Sequence, residues 1–176
     1  MRIAALRVSL QRLATLHLIS GLPASGKTTY ATTLRDREAG VLFSLDRWLI
    51  TAYGRYAISD VGYEEHVRRV LACRELIWDA AAELLSRGVN VILDDGFFLR
   101  EHRGRAIAMA RAAGAGATIH FLDTPLDVVR ERLEARNANL PTYNFRIDPG
   151  LLGSFRDQIE RPSADEGATL LVPGPD

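Results

Sequence analysis

Residues 21–28 read Gly-Leu-Pro-Ala-Ser-Gly-Lys-Thr, which satisfies the spacing G-x-x-x-x-G-K-S/T, a pattern suited to holding phosphate. Glycines at 21 and 26 let the chain turn tightly and bring backbone N–H groups close to phosphate oxygens. Lys27 supplies a charge for the β- and γ-phosphates, and the Thr28 hydroxyl suits Mg²⁺. The loop thus implies a nucleoside triphosphate, with Gly21, Pro23, Ala24, Ser25, Gly26, Lys27, Thr28 and Thr29 as its binding set. Lys27 is the only lysine in the chain.

Three further groups fit phosphoryl transfer. Asp46 follows a short apolar run by two residues. It can accept the proton of an incoming hydroxyl as that oxygen attacks phosphorus, help worth about 10²–10⁴-fold. The alternative is an N-cap on a short helix over Arg47–Thr51. Asp94 and Asp95 end a second apolar run; Asp94 is the expected metal ligand with Thr28, and Asp95 a substrate contact or support. Arg132 and Arg136 are four apart and share a helix face. Both are expected to neutralise charge on the moving phosphoryl group, with Arg132 also holding the nucleotide. Arg130 is instead expected to pair with Glu134. Residues 137–149, with two prolines, read as a lid that would keep water from accepting the phosphate.

Other candidates carry less chemistry. His17 and His120 fall in strand-like runs and read as packed, while His66 and His102 read as exposed helix residues. No H-x-x-H spacing proposes zinc. Trp48, Tyr53, Tyr56 and Tyr63 either wall an acceptor pocket or cover the sheet edge. Arg47 either holds substrate or lies in solvent.

These groups need a scaffold that brings them to one edge, and the periodicity supplies it. Strand-like runs at residues 16–20, 41–44, 89–93, 117–122 and 168–172 alternate with helical stretches at 27–37, 63–87, 100–113, 124–137 and 151–159. Residues 53–62 read as an irregular excursion. Such alternation predicts an α/β domain with a parallel sheet, in which functional groups collect at the C-terminal strand edges. On the long helix, Val67, Val70, Leu71, Leu76, Ile77, Ala80, Ala81, Leu84 and Leu85 are the expected apolar face.

A length of 176 residues suits one domain, and 22 basic against 22 acidic residues give no global field for nucleic acid or an acidic membrane. Cys73 stands alone, which rules out an intramolecular disulfide; its neighbours predict a buried thiol. No run approaches the roughly 20 apolar residues of a membrane span. Residues 1–13, with three arginines, read as an extension before the first strand, and a cytoplasmic location is the default expectation.

With the loop, Asp46, Asp94-Asp95 and Arg132/Arg136-Asn137 in this order, residues 16–162 resemble the small P-loop kinases, in particular the ATP-binding group called AAA-type family 33. Its relatives are zeta toxins, chloramphenicol phosphotransferases and polynucleotide 5′-hydroxyl kinases. Arg161-Pro162 and Glu166 resemble that group's C-terminal signature. The resemblance implies a three-layer P-loop NTPase fold: a five-stranded parallel sheet of order 2-3-1-4-5, with helices on both faces and a small lid. It also implies ATP and Mg²⁺ as cofactors and phosphoryl transfer to a hydroxyl, with Asp46 as base. Leu49 stands where polynucleotide kinases usually carry an arginine, three residues past the base, which favours a small-molecule acceptor. The rival readings are a polynucleotide 5′-hydroxyl kinase and a nucleotide-driven switch acting on a protein partner.

Overall fold

The structure, a computed structural model, describes residues 13–172; the expected N-terminal extension, apart from Leu13, lies outside them. Five strands form one sheet in the order β2-β3-β1-β4-β5, as the resemblance implied. They are β1 (Thr15–Gly21), β2 (Val41–Ser44), β3 (Val91–Gly96), β4 (Gly116–Leu122) and β5 (Thr169–Leu171), and every pairing is parallel. Parallel strands need covering on both faces, so the central ones read as near-continuous apolar runs. Leu16, Leu18 and Ile19 on β1 and Val91, Ile92 and Leu93 on β3 are all buried.

Alternation along the strands divides the core. Leu16, Leu18, Val91 and Leu93 point to the face covered by α2 (Leu45–Tyr53), α4 (Tyr63–Ser86) and α5 (Arg100–Ala112). Ile19 and Ile92 point to the other face, where α1 (Lys27–Glu38) lies with Ala31 and Leu34. A smaller cluster joins Leu22 to Val129 and Leu133 of α6 (Leu126–Ala138) and to Leu152 of α7 (Leu152–Gln158). The remaining α-helix among the described residues is the single turn α3 (Ile58–Val61).

Several boundaries differ from expectation. The excursion over 53–62 contains the end of α2 and all of α3. Strand β3 starts two residues later than expected and continues through Asp94, Asp95 and Gly96, because pairing with β1 supplies backbone partners that the polar side chains alone do not suggest. On α4 the sheet-facing positions are Cys73, Ile77, Ala81 and Leu85, spaced four apart; Cys73 is buried as expected. Leu71 and Leu76, assigned to the apolar face, are 50% and 59% exposed, since a helix with apolar residues on several sides can turn only one stripe to the sheet.

Two buried polar arrangements tie elements together. His17 Nδ1 lies 2.9 Å from His120 Nε2, and the Tyr30 hydroxyl lies 2.8 Å from His120 Nδ1. The strand histidines are packed as expected, and through Tyr30 they link β1 and β4 to α1. His66 and His102, expected to be exposed, are half-buried. The second arrangement is an ion pair. The Arg103 guanidinium, fully buried, donates to both Glu166 carboxylate oxygens at 2.7 and 2.8 Å and to the carbonyls of Phe97 and Phe98 at 3.0 and 3.1 Å. Phe97 has φ +43°, a conformation costly for a bulky side chain. Arg103 and Glu166 therefore fix the strained turn that follows β3.

Each arrangement yields a prediction. Burial first, then the neighbouring His17, pushes the pKa of His120 down to about 4. Above the unfolded value of about 6.5 both states are neutral; below it the unfolded chain takes the proton first, so stability falls as pH drops from there toward 4. The loss should reach about 2 kcal/mol by pH 5, and urea titrations should show His120→Gln losing much less over the same interval. For the ion pair, Glu166→Ala should cost about 3–5 kcal/mol by leaving a buried guanidinium uncompensated. The double variant Arg103→Met/Glu166→Leu should recover most of that.

Candidate active site

Strand β1 ends at Gly21, and the chain turns through residues 22–26 into α1 at Lys27. Gly21 has φ +146°, and a Cβ there would lie 2.8 Å from the Leu122 carbonyl oxygen. Gly26 has φ +98°, so both glycines take up the turn that their spacing required. The loop leaves the N-terminus of α1 open, with no side-chain cap at Gly26, which suits an anion.

Register decides which carboxylates meet the loop. Ile19 of β1 pairs with Asp94 of β3, and the next β1 residue, Ser20, pairs with Gly96, leaving Asp95 as the extra residue of a bulge. Asp94 continues the Ile92 side toward α1, where its Oδ2 accepts a hydrogen bond from the Thr28 hydroxyl at 2.7 Å. Asp95 turns to the opposite face, where Arg74 of α4 donates to both its oxygens at 2.7 and 2.8 Å. Burial pushes the Asp95 carboxyl's pKa up, opposed by the Arg74 charge.

Asp46 lies in the first turn of α2, and the N-cap position belongs to Ser44, so the capping alternative is not what the structure shows. Its carboxyl is pushed up to about 6, by burial first and then by the charge of Asp94, with Lys27 and Arg136 opposing. Lys27 Nζ donates to the carbonyls of Gly21 and Leu22 at 2.9 and 2.6 Å. Burial lowers its pKa, while Asp94 and Asp46 counter that shift.

The two expected arginines arrive from α6. A Cβ built on Gly26 would lie 3.5 Å from an Arg132 guanidinium nitrogen, so Arg132 lies over the phosphate loop. Arg136 feels the charge of Asp46 from the lid side, and its buried Nε has no hydrogen-bond partner. The lid segment between α6 and Pro149 is laced to the helix end by Asn137 Nδ2 donating to the Ile147 carbonyl at 2.7 Å and by Arg146 donating to the Asn137 carbonyl at 2.8 Å. Arg130 and Glu134, expected to pair, form no ion pair among the described residues.

These groups line one cleft of about 980 Å³ that runs over the C-terminal edges of β1, β2, β3 and β4. It includes the expected loop residues from Pro23 through Thr29, with Asp46, Asp94, Asp95, Arg132 and Arg136. Its size and mixed lining suit a nucleotide together with a second small molecule. Ser25 carries a buried hydroxyl oxygen without a partner in this loop, a second polar atom that a phosphate could satisfy. Thr28 and Asp94 offer adjacent hard oxygens, the donor set Mg²⁺ takes beside a nucleotide's phosphates.

Trp48 packs against Phe43, Tyr53 and Tyr56 stack on Arg69, and Tyr63 is 72% exposed. None of them lines the cleft. Arg47 stacks on the lid residue Tyr143 at 5.0 Å. Arg74 and Arg103 were missed as supports for the site, because their partners, Asp95 and Glu166, lie 21 and 63 residues away in sequence. Arg161, singled out in the C-terminal signature, donates to both oxygens of Asp123 at 2.9 and 2.6 Å on the β4 rim of the cleft.

Solved structures share this architecture. A Chloroflexus aurantiacus protein provisionally described as a kinase superposes with a TM-score of 0.74 at 21% identity, over 92% of this chain and 88% of that one. Kti12 of Chaetomium thermophilum, solved with ADP-AlF3, gives a TM-score of 0.65 at 20% identity over 89% and 87% of the two chains. A gluconokinase from Sinorhizobium meliloti 1021 gives 0.60 at 17% identity over 92% and 83%. At these identities the likeness establishes the P-loop NTPase fold alone. No curated protein matches the chain, and among the described residues no helix is long and apolar enough to cross a membrane. The model of the family AAA_33, described as an AAA domain, matches residues 16–162, and the chain belongs to that family.

Proposed function

We propose that this chain is an ATP-dependent phosphotransferase that moves the γ-phosphoryl group to a hydroxyl of a small molecule. The observation that carries the reading is the meeting of Asp46 with Lys27, Asp94 and Arg136 at one end of the cleft. A site that only bound and released nucleotide would not need a half-buried carboxylate facing the place where the terminal phosphate lies.

The roles follow from position. The backbone N–H groups of residues 24–28 and the open end of α1 hold the phosphates, with Arg132 above them. Lys27 exchanges its contacts with the Gly21 and Leu22 carbonyls for phosphate oxygens. Thr28 and Asp94 would hold Mg²⁺, which when bound screens the phosphates and balances charge on the leaving group. Asp46 accepts the proton of the acceptor hydroxyl while that oxygen bonds to the γ-phosphorus, and the bond from phosphorus to the β–γ bridging oxygen breaks to release ADP. Its raised pKa suits a base that must take a proton and later release it near neutrality. Arg136 faces the transferring group, and the lid keeps water from the same position. Such transfer relies mostly on positioning and electrostatics.

Two variants test the assignment. Lys27→Ala should weaken ATP binding by on the order of 100-fold in fluorescent-nucleotide titrations, the loss expected for one buried charge-assisted contact. Asp46→Asn should leave that affinity within a few fold yet lower transfer by about 10²–10⁴-fold. Full transfer by Asp46→Asn would remove the base. Slow hydrolysis indifferent to the substitution, with no acceptor phosphorylated, would instead favour the nucleotide-driven switch.

A further inference from the structure

The end of the cleft beyond the terminal phosphate is where a second substrate must sit, so its charge states what kind of compound fits. The Thr28–Asp94 contact marks the β3 side of the loop as the metal and γ-phosphate end. The cleft lining also takes in Ser44, Asp46, Asp95 and Phe98, with Pro141 and Ile147 from the lid. Among the described residues the only cations lining the cleft are Lys27, Arg132 and Arg136, and each has a part in handling the triphosphate.

Five arginines of the neighbouring elements have partners elsewhere. Arg74 donates from Nε and Nη2 to the two oxygens of Asp95. Arg69 is held by Glu65 at 2.7 Å and stacks on the rings of Tyr53 and Tyr56. Arg55 donates to the Pro141 and Thr142 carbonyls of the lid at 2.8 and 2.9 Å. Arg47 lies on Tyr143, and Arg146 donates to the Asn137 carbonyl. None of these five lines the cleft. Once magnesium and triphosphate are bound, the negative charge of the triphosphate with Asp46 and Asp94 slightly exceeds the positive charge of the metal with the three cations. Asp95 is already balanced by Arg74. An acceptor bearing its own phosphate or carboxylate would then meet like charge with no further cation in the cleft lining to compensate.

Resting on the phosphotransferase reading above, we infer that the acceptor is a neutral or cationic alcohol with no anionic group, one that sets an apolar face on Phe98 and Ile147. Sugar acids, sugar phosphates and 5′-hydroxyl polynucleotides are excluded by the same charge argument. Acceptor choice is thereby set partly by Asp95, which keeps the Arg74 guanidinium out of the cleft.

Sorting candidate acceptors by charge tests this without naming one in advance. A cell metabolite extract is split on a strong anion exchanger into unretained neutral and cationic compounds and retained anions. Endogenous ATP in the retained pool is destroyed with apyrase, and the apyrase is then removed. Each pool is incubated with γ-labelled ATP, Mg²⁺ and either the wild-type chain or Asp46→Asn, and labelled products are resolved. Labelled product is expected from the unretained pool, on the order of 100-fold above the retained pool, and absent with Asp46→Asn. Product arising chiefly from retained anions overturns the inference and leaves the phosphotransferase reading standing. Product from neither pool, with ATP hydrolysed equally by both proteins, overturns that reading and the inference with it.

Discussion

The parallel pairing of β1 with β3 is the constraint on which the site depends. It places Ile19 opposite Asp94, so the phosphate loop and the acidic strand end leave the sheet at the same edge. The Thr28–Asp94 hydrogen bond follows from it. A slip of one residue would exchange the faces of the two carboxylates, sending Asp95 toward α1 and Asp94 toward Arg74. The bulge after Ile19 makes the separation sharper, since it gives Asp95 a place outside the ladder. Two neighbouring acids of identical chemistry thereby acquire different tasks: one faces the loop, and the other holds a guanidinium.

Support for that edge comes from both faces of the sheet. On the α4 and α5 side, Arg74 and the Arg103–Glu166 pair fix the bulge and the turn after it. On the α1 side, Tyr30 and the two strand histidines anchor the helix that begins at Lys27. These contacts are buried and specific in direction, unlike the exposed arginine–carboxylate pairs along the helix surfaces, such as Arg35–Asp36 and Arg156–Asp157, which contribute little. An active site that works mainly by positioning needs its first contacts held by such second ones.

Much of this was legible from residue order. The glycine loop announced itself by spacing, β2 was read with its observed limits, and the sheet order came from the family resemblance. Asp94 and Asp46 were singled out because an acid after an apolar run in an α/β chain falls at a strand's C-terminal edge. The misses share a physical cause. Leu71 and Leu76 look like core residues until a 24-residue helix is docked, and docking selects one stripe. The polar end of β3 looks like a turn until its neighbours supply the ladder. Arg74 and Arg103 have no local signal, since only the folded chain brings them to their partners. In sequence, Tyr53 and Tyr56 suit either the wall of an acceptor pocket or a cover for the sheet edge, and in the fold they stack on Arg69.

The central claim is that a nucleoside triphosphate lies across this edge with its terminal phosphate facing Asp46. A crystal structure with Mn²⁺ and a non-hydrolysable ATP analogue tests it most directly, because anomalous scattering locates the metal independently of the phosphates. The account predicts Mn²⁺ at the Thr28 hydroxyl beside Asp94, Lys27 moved from the loop carbonyls to the phosphates, and the γ-phosphate open toward Asp46. A γ-phosphate directed away from Asp46, or a metal held far from Thr28 and Asp94, would contradict it.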